Sequence, residues 1–361
     1  RDRSVSRGLG DVYKRQGLLF QFAVPSIIAM LVGSLYNIVD QFFIGHSVGE
    51  LGNAATNISF PLSISCVAIA LLFGIGGASA FNISMGAGEK KKAVYYLGNS
   101  AVMLFSCGIV LCVITLMFLE PLLHFFGSPN NVLDYAKTYT GVIAFGFPFL
   151  ILTTGGGHLI RADGRPKVSM ICNLTGAIIN TFLDALFVFG LNMGMRGAAL
   201  ATIIGQILSA IMVIWCLSHC KTVVVGKEHL RVSKKIISRI ISLGTAPFSN
   251  QLAMMVVQIV MNKSLKYYGS ISVYGEAVPI ACAGIITKVN QVFMSFVIGI
   301  SQGLQPITSF NYGAKKYKRV KTAYTFAIKC GFALAIVAFL LFQLVPRQII
   351  SIFGNGSEEY Y

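Results

Sequence analysis

The feature that most constrains this chain is a succession of long apolar segments, each separated from the next by a short polar stretch. The hydrocarbon core of a bilayer is about 30 Å thick, and an α-helix needs about 20 residues to cross it. Charged residues make up only 12% of the chain, against about 25% in soluble domains. We therefore expect an all-α polytopic membrane protein whose main partner is the lipid bilayer. Nine segments have the required length, at roughly 18–44, 55–85, 93–118, 138–160, 168–190, 195–217, 240–266, 277–311 and 322–344.

The net charge of +16 is distributed unevenly along the chain. Seventeen Lys and Arg residues lie in four connections, 86–92, 161–167, 218–239 and 313–321. A single one lies in the alternate connections, 45–54, 119–137, 191–194 and 267–276. Basic loops remain on the cytoplasmic side of a membrane, so we expect a multi-pass protein of the inner (plasma) membrane with a cytoplasmic N-terminus. Topology accounts for the basic charge, and a nucleic-acid partner is not expected.

The chain also repeats itself weakly. Pro25 lies near the start of the first apolar segment and Pro247 near the start of the seventh, and a polar residue, Asp40 or Asn262, follows 15 residues after each. Six segments separate the copies, so both start from the same side of the membrane, as in transporters built from two parallel halves. The repeat predicts two six-helix lobes related by a pseudo-two-fold axis along the membrane normal.

This symmetry predicts the domain boundaries. The first lobe of six helices covers 17–217, a cytoplasmic linker covers 218–239, and a partial second lobe of three helices covers 240–361. The second lobe is then expected to be incomplete, with about nine of twelve helices present. Residues 1–16 are polar and lack the apolar core of a signal peptide, so they are expected to be a non-native or disordered leader.

Two acidic residues, Asp40 and Asp184, each interrupt a long apolar run. A charged side chain at the bilayer centre costs about 2.5–3.5 kcal/mol on insertion scales, so such a residue is a candidate for function. We take Gly45, Gly190 and Gly194 as markers of the outer membrane edge. A rise of about 1.5 Å per residue then places Asp40 roughly 7 Å and Asp184 roughly 9 Å below that edge.

Three polar residues are expected to accompany the acids. Thr202 and Asn180 lie roughly 12 and 15 Å deep by the same measure. Asn180 shares a helix face with Asp184 at a spacing of four residues, and Asn37 is one turn from Asp40. Two close carboxylates in a low dielectric cannot both be charged cheaply, so the group suits either a shared proton or a Na⁺ ion. The alternative is that the acids only order helix packing.

Two further features are less decisive. Pro25, inside the first segment, is the expected hinge through which protonation of the acids would repack that helix. In the second lobe, Lys288 falls near the membrane midplane, where an unpaired Lys is costly. Its partner is expected to be an acid on a helix beyond this chain, or backbone carbonyls and Gln291. With Gln258 and Asn262 it forms a candidate polar site, although such groups also bond helices together.

Three sequence motifs occur in order along residues 17–345. They are Tyr36-Asn-Ile-Val-Asp40-Gln-Phe-Phe-Ile-Gly45, Ile160-Arg-Ala-Asp-Gly-Arg-Pro-Lys167 with Asn180-Thr-Phe-Leu-Asp184, and Ser301-Gln-Gly-Leu-Gln-Pro306 through Asn311-Tyr-Gly-Ala-Lys315. These motifs, in this order, resemble signatures of the bacterial branch of the MATE (multidrug and toxic compound extrusion) transporters, which have twelve helices in two lobes. The chain departs from the family at Ala185, where bacterial members usually have proline, and this puts the local helix kink in doubt.

The resemblance implies a cation-coupled antiporter, driven by H⁺ or Na⁺, that exports amphipathic and often cationic drugs or metabolites by alternating access. It implies a cation site, with Na⁺ as one candidate occupant, formed by Asp40, Asn180, Asp184 and Thr202. No nucleophile, metal cluster or cofactor fingerprint is recognised, so we expect no enzyme activity, no cofactor beyond the coupling ion, and a monomer.

Two alternatives remain open. The first is a flippase for lipid-linked oligosaccharides from the same wider superfamily, whose cleft would usually be lined by cations where this chain has acids. The second is a membrane scaffold or receptor that transports nothing, in which substitution of Asp40 or Asp184 would alter only stability.

Overall fold

The computed structural model describes residues 17–48, 50–126, 128, 130–271 and 277–345. Within these ranges the chain is helical apart from short connections. The α-helices are α1 (Gly17–Val48), α2 (Glu50–Gly86), α3 (Lys90–Met117), α4 (Leu119–Phe125), α5 (Asn130–Ile143), α6 (Phe147–Ala162), α7 (Pro166–Asp184), α8 (Gly194–Ser218), α9 (Lys234–Ile271), α10 (Ala277–Gly313) and α11 (Tyr317–Leu344).

The helices have the lengths that a membrane protein requires. The nine predicted segments all lie on long helices, with 138–160 divided between α5 and α6. A shorter apolar stretch, Leu19–Leu35, lies on α1. The prediction of an all-α, multi-pass membrane protein is confirmed. Within the described ranges, seven stretches are long and apolar enough to cross a membrane: Ala55–Gly86, Lys90–Met117, Val132–Ala162, Pro166–Gly190, Gly194–Ser218, Lys234–Met261 and Tyr317–Leu344.

Two of the spans contain an irregular turn. A 3-10 turn, Ala144–Gly146, separates α5 from α6, and Pro148 occupies the first turn of α6, where its missing N–H has no helical partner to lose. At the other site, α7 continues into a π-helical turn, Ala185–Gly190. Residue 185 is alanine where a proline kink is usual in the family, and the helix instead has a widened, π-helical turn that starts at Ala185.

Glycine residues allow the helices of the first lobe to approach closely. A Cβ atom on Gly74 would lie 2.6 Å from the Cα atom of Gly155, and one on Gly157 would lie 3.1 Å from Oγ of Ser169. Lipid tails are as apolar as the side chains, so helix association in a membrane depends on such close packing. The resulting core includes the fully buried Phe147.

The two lobes meet at the end of the bundle that carries the basic loops, which we call the basic end. There α2 packs against α9 and α10, and α1 packs against α10. Gly76 and Gly86 on α2 lie directly against backbone carbonyls, those of Ile240 and Phe310, with no room for a Cβ atom. The lobes are therefore closed against each other at the basic end.

Polar contacts between the lobes extend this closure toward the membrane interior. Nε2 of Gln305 on α10 donates a hydrogen bond to Oγ of Ser79 on α2 at 3.0 Å. Farther from the basic end, Oγ of Ser34 on α1 lies 3.2 Å from Oγ of Ser295 on α10. These hydrogen bonds and the glycine contacts lie on the basic-end side of Asp40, so they do not cover that residue.

The linker between the lobes is held against α3. The fully buried Asn99 donates from Nδ2 to the carbonyls of His229 (3.3 Å) and Arg231 (3.1 Å). Its Oδ1 atom accepts the backbone N–H of Ser233 at 2.9 Å. The ring of His229 also packs on Tyr95, with centroids 4.8 Å apart. One buried amide therefore fixes the linker to the first lobe.

Candidate functional site

The structure brings the two membrane acids together. Asp184 is the last residue of α7 and is fully buried, and Asp40 on α1 is 8% exposed. The helices that carry them pack side by side, and the two carboxyl groups lie close enough to interact electrostatically. Such an approach is favourable only when at least one carboxyl is protonated or a cation lies close by, because two bare charges repel.

The predicted amide and hydroxyl neighbours are buried beside this pair. Asn180 lies one turn before Asp184 on the same face of α7, and its Nδ2 atom donates to Oγ1 of Thr202 on α8 at 3.2 Å. Asn180 is 2% exposed and Thr202 is 4% exposed. The glycine at residue 205 lets α7 and α8 approach here, since a Cβ atom on Gly205 would lie 3.0 Å from Cβ of Asn180.

The oxygens of this group lack hydrogen-bond donors. Both carboxyl oxygens of Asp184, Oδ1 of Asp40 and Oδ1 of Asn180 are buried and have no partner among the described residues. The amide N–H₂ of Asn180, which could serve as a donor, is turned toward Thr202 instead. A buried acceptor without a donor costs roughly 1–3 kcal/mol, and more when it is charged. The arrangement is therefore suited to bind something positive.

An apolar layer borders the acid pair on the side away from the basic end. One turn beyond Asp40, the ring of Phe43 packs on that of Phe189, with centroids 5.3 Å apart. The neighbouring Ile44 and Val188 are 0% and 2% exposed. These residues join α1 to the π-helical turn beside the acids. Sequence reasoning missed this layer, although a Phe residue follows each acid by three to five positions.

Pro25, the predicted hinge, is buried inside α1. It lies 15 residues before Asp40, or about 22 Å along the helix axis. The two residues thus occupy different ends of the same helix, and any coupling between them must pass along four turns of α1. The role of Pro25 as a hinge stays a prediction.

The candidate polar site in the second lobe is not assembled by the described residues. Gln291 on α10 has an exposed side chain, and its carbonyl accepts a hydrogen bond from Oγ of Ser295 at 2.8 Å. The side chains of Lys288, Gln258 and Asn262 lie outside the described residues, as does that of Asn37 in the first lobe. Groups of three or more His, Cys, Asp or Glu side chains arranged to hold a metal ion are absent from the described part of the chain.

Comparison with known proteins supports the predicted resemblance. The MatE family model matches residues 25–186 and 249–360. The multidrug export protein MepA of Staphylococcus saprophyticus is 25% identical over 340 residues, which cover 94% of this chain and 74% of that protein. MepA of Staphylococcus haemolyticus is 26% identical over 341 residues, with the same coverage of both chains. The expected shortfall of helices stays a prediction.

Solved structures agree on the fold. A MOP superfamily transporter from Pyrococcus furiosus superposes with a TM-score of 0.89 at 22% identity, covering 99% of this chain and 78% of its own. A multidrug resistance MATE family transporter in an outward-facing conformation gives a TM-score of 0.87 at 23% identity, and the match covers 97% of this chain and 76% of that transporter. Together with a family model that matches most of the sequence, these findings show that the chain belongs to the MatE family.

Proposed function

We propose that this protein is a cation-coupled antiporter that exports small amphipathic, often cationic molecules by alternating access. Asp40 and Asp184 bind the coupling ion. The observation that carries the proposal is the buried pair of carboxyl groups whose oxygens have no protein donors. Relatives that share a quarter of the sequence are named multidrug export proteins, which supports drug-like substrates for this chain.

The acid pair is suited to exchange an ion because its charge is poorly compensated by the protein. A proton shared between Asp40 and Asp184 removes one negative charge and supplies one donor. Loss of that proton leaves two adjacent carboxylates in a low dielectric, which is unfavourable by several kcal/mol unless the helices move apart or another cation enters. Occupancy of the site is thereby linked to the packing of α1 against α7.

The same oxygens would also suit Na⁺. Hard cations prefer carboxylate, amide and hydroxyl oxygens, and the site offers them on Asp40, Asn180, Asp184 and Thr202. The hydrogen bond from Asn180 to Thr202 leaves Oδ1 of Asn180 without a donor, which is the orientation that a cation requires. H⁺ and Na⁺ are therefore both candidates for the coupling ion, and experiment must separate them.

The closed basic end sets the direction of access. The basic loops lie on the cytoplasmic side by the positive-inside rule, so the closure by α2, α9 and α10 blocks the cytoplasmic route, and the acids lie in the half nearer the outside. One proton moving across 100 mV supplies about 2.3 kcal/mol, which supports a drug gradient of roughly 40-fold before leak.

Ethidium efflux from cells that express the protein tests the proposal. Energy-depleted cells are loaded with ethidium, and an inward H⁺ or Na⁺ gradient is then imposed. We expect one of the two gradients to drive efflux, and the Asp184→Asn variant to lose it. Asp134→Asn is the matched control, because Asp134 is exposed on α5. Gradient-driven efflux at the same rate in Asp184→Asn, at equal membrane expression, would contradict the proposed role of the acid pair.

A further inference from the structure

A second candidate site lies at the basic end, between the two lobes. A cavity of about 220 Å³ opens there at the junction of α2, α3 and α9. Its walls come from the last turns of α2, the first turns of α3 and one residue of α9, Arg239, at the end of the linker. The cavity is far from the acid pair and is not used by the proposed transport cycle.

Two polar side chains of the cavity wall have no protein partner. Ser84 and Tyr96 are each 6% exposed, and neither hydroxyl is hydrogen-bonded to another described residue. Ser59 and Ser65, on the same helix as Ser84, each donate to the carbonyl four residues earlier. Both residues line the cavity, so the hydroxyls of Ser84 and Tyr96 are available as donors to a ligand there.

The charge of the cavity is suited to an anion. Its wall carries Lys92, Arg239 and Glu89, and Nζ of Lys92 pairs with Oε2 of Glu89 at 3.1 Å. Arg239 forms no ion pair with any described residue. A planar guanidinium recognises phosphate with two parallel hydrogen bonds. The cavity therefore joins one uncompensated cation to two donor hydroxyls.

We infer that this cavity binds a phosphate group, with Arg239 as the cationic contact and the hydroxyls of Ser84 and Tyr96 as neutral donors. Basic pockets between transmembrane helices at the cytoplasmic face are known to bind anionic headgroups, so the source is either an anionic phospholipid or a free phosphate. Because Arg239 lies on α9, the helix that continues into the second lobe, and Ser84 and Tyr96 belong to the first lobe, the bound group bridges the lobes and stabilises their closed arrangement.

Thermal unfolding of the full chain in detergent micelles tests this site. The unfolding temperature is measured against added phosphatidylglycerol, phosphatidylcholine or inorganic phosphate, since a ligand that binds only the folded state raises it. We expect phosphatidylglycerol or inorganic phosphate, but not phosphatidylcholine, to raise the unfolding temperature. We expect Arg239→Gln to weaken the apparent affinity by about tenfold or more.

Two further variants separate a specific site from general attraction. Ser84→Ala removes a donor without a change of charge, so it should lower the affinity while leaving unfolding without ligand unchanged or slightly improved. Lys235→Gln removes a charge from an exposed position of the same helix and should leave the affinity nearly unchanged.

The outcomes are distinct. Stabilisation by phosphatidylglycerol alone supports a lipid headgroup as the ligand, and stabilisation by inorganic phosphate supports a soluble one. Equal losses in Arg239→Gln and Lys235→Gln, with Ser84→Ala unaffected, would show only diffuse attraction to the basic end and would overturn the inference. The absence of stabilisation by either phosphate source would overturn it as well.

Discussion

Closure of the basic end depends on glycine residues where the lobes touch, and Gly303 on α10 offers the clearest perturbation. A Cβ atom at residue 303 would lie 2.6 Å from the backbone nitrogen of Ala23 on α1. Ordinary contact begins near 3.4 Å, so Gly303→Ala forces the two helices to separate by about 0.8 Å or to rotate. Both contacting groups are backbone, and neither can move aside as a flexible side chain would.

The size of the effect follows from this overlap. Overpacking a close contact costs typically 1–3 kcal/mol. The contact between α1 and α10 belongs to the closed basic end, so the cost falls mainly on that state. The ratio of closed to open molecules should then decrease by about 5- to 150-fold.

Distances between spin labels across the basic end would measure this change. Labels at Lys91 and Lys318, both exposed, are introduced into a variant whose native cysteines are replaced. We expect Gly303→Ala to add a population with a longer distance between the labels. Gly331→Ala is the matched control, because its Cβ atom would meet nothing within 4 Å, and it should leave the distances unchanged. A Gly303→Ala variant that folds and keeps the parental distances would refute this reasoning.

Three further predictions address the site, the interface and the linker. Thr202→Val should leave the buried amide of Asn180 without an acceptor and lower the free energy of unfolding by about 1–3 kcal/mol. If Na⁺ is the coupling ion, this variant should also need a higher Na⁺ concentration for half-maximal transport, whereas Thr202→Ser should keep both the stability and the Na⁺ dependence of the parent protein. Equal behaviour of the two variants in unfolding and transport assays would contradict this role. A Ser34→Cys and Ser295→Cys double variant should form a disulfide, because the present hydroxyl oxygens lie 3.2 Å apart. The disulfide should stop efflux until a reductant is added. Efflux that is unaffected by a verified disulfide would show that this contact need not open. Asn99→Ala removes three hydrogen bonds from the linker. Limited trypsin digestion should therefore cut the linker faster in this variant than in the parent protein. An unchanged cleavage rate would show that other contacts hold the linker.

The sequence was sufficient to predict the helical membrane fold because the relevant signal is local. Segment length, low charge and the alternation of basic loops are properties of contiguous residues, and the structure has helices at all nine predicted segments. The acid pair was also predictable, since a carboxylate inside an apolar run stands out without any knowledge of its neighbours. The depth calculation then placed Asp40 and Asp184 at similar levels, and the structure places them on two helices that pack against each other.

Other features were missed because they depend on contacts between distant residues. Ser34 and Ser295 are separated by 261 positions, and nothing in either local sequence indicates that they meet. The π-helical turn at Ala185–Gly190 stands where a proline kink is usual in the family. No residue type in that segment predicts a π-helical turn. The hydrogen bonds from Asn99 to the linker depend on the path that the linker takes. From the sequence alone, a single Asn in an apolar helix predicts a hydrogen-bond partner but not which residue provides it.

The central claim is that Asp40 and Asp184 couple ion entry to drug export, and ion movement in proteoliposomes tests it most directly. Purified protein is reconstituted with a luminal pH-sensitive or Na⁺-sensitive dye, and drug is added on one side. Drug should drive movement of H⁺ or Na⁺ in the opposite direction, and the Asp40→Asn and Asp184→Asn variants should abolish this movement while remaining folded. Drug-driven ion flux that persists in both variants, or drug transport without movement of either ion, would contradict the account.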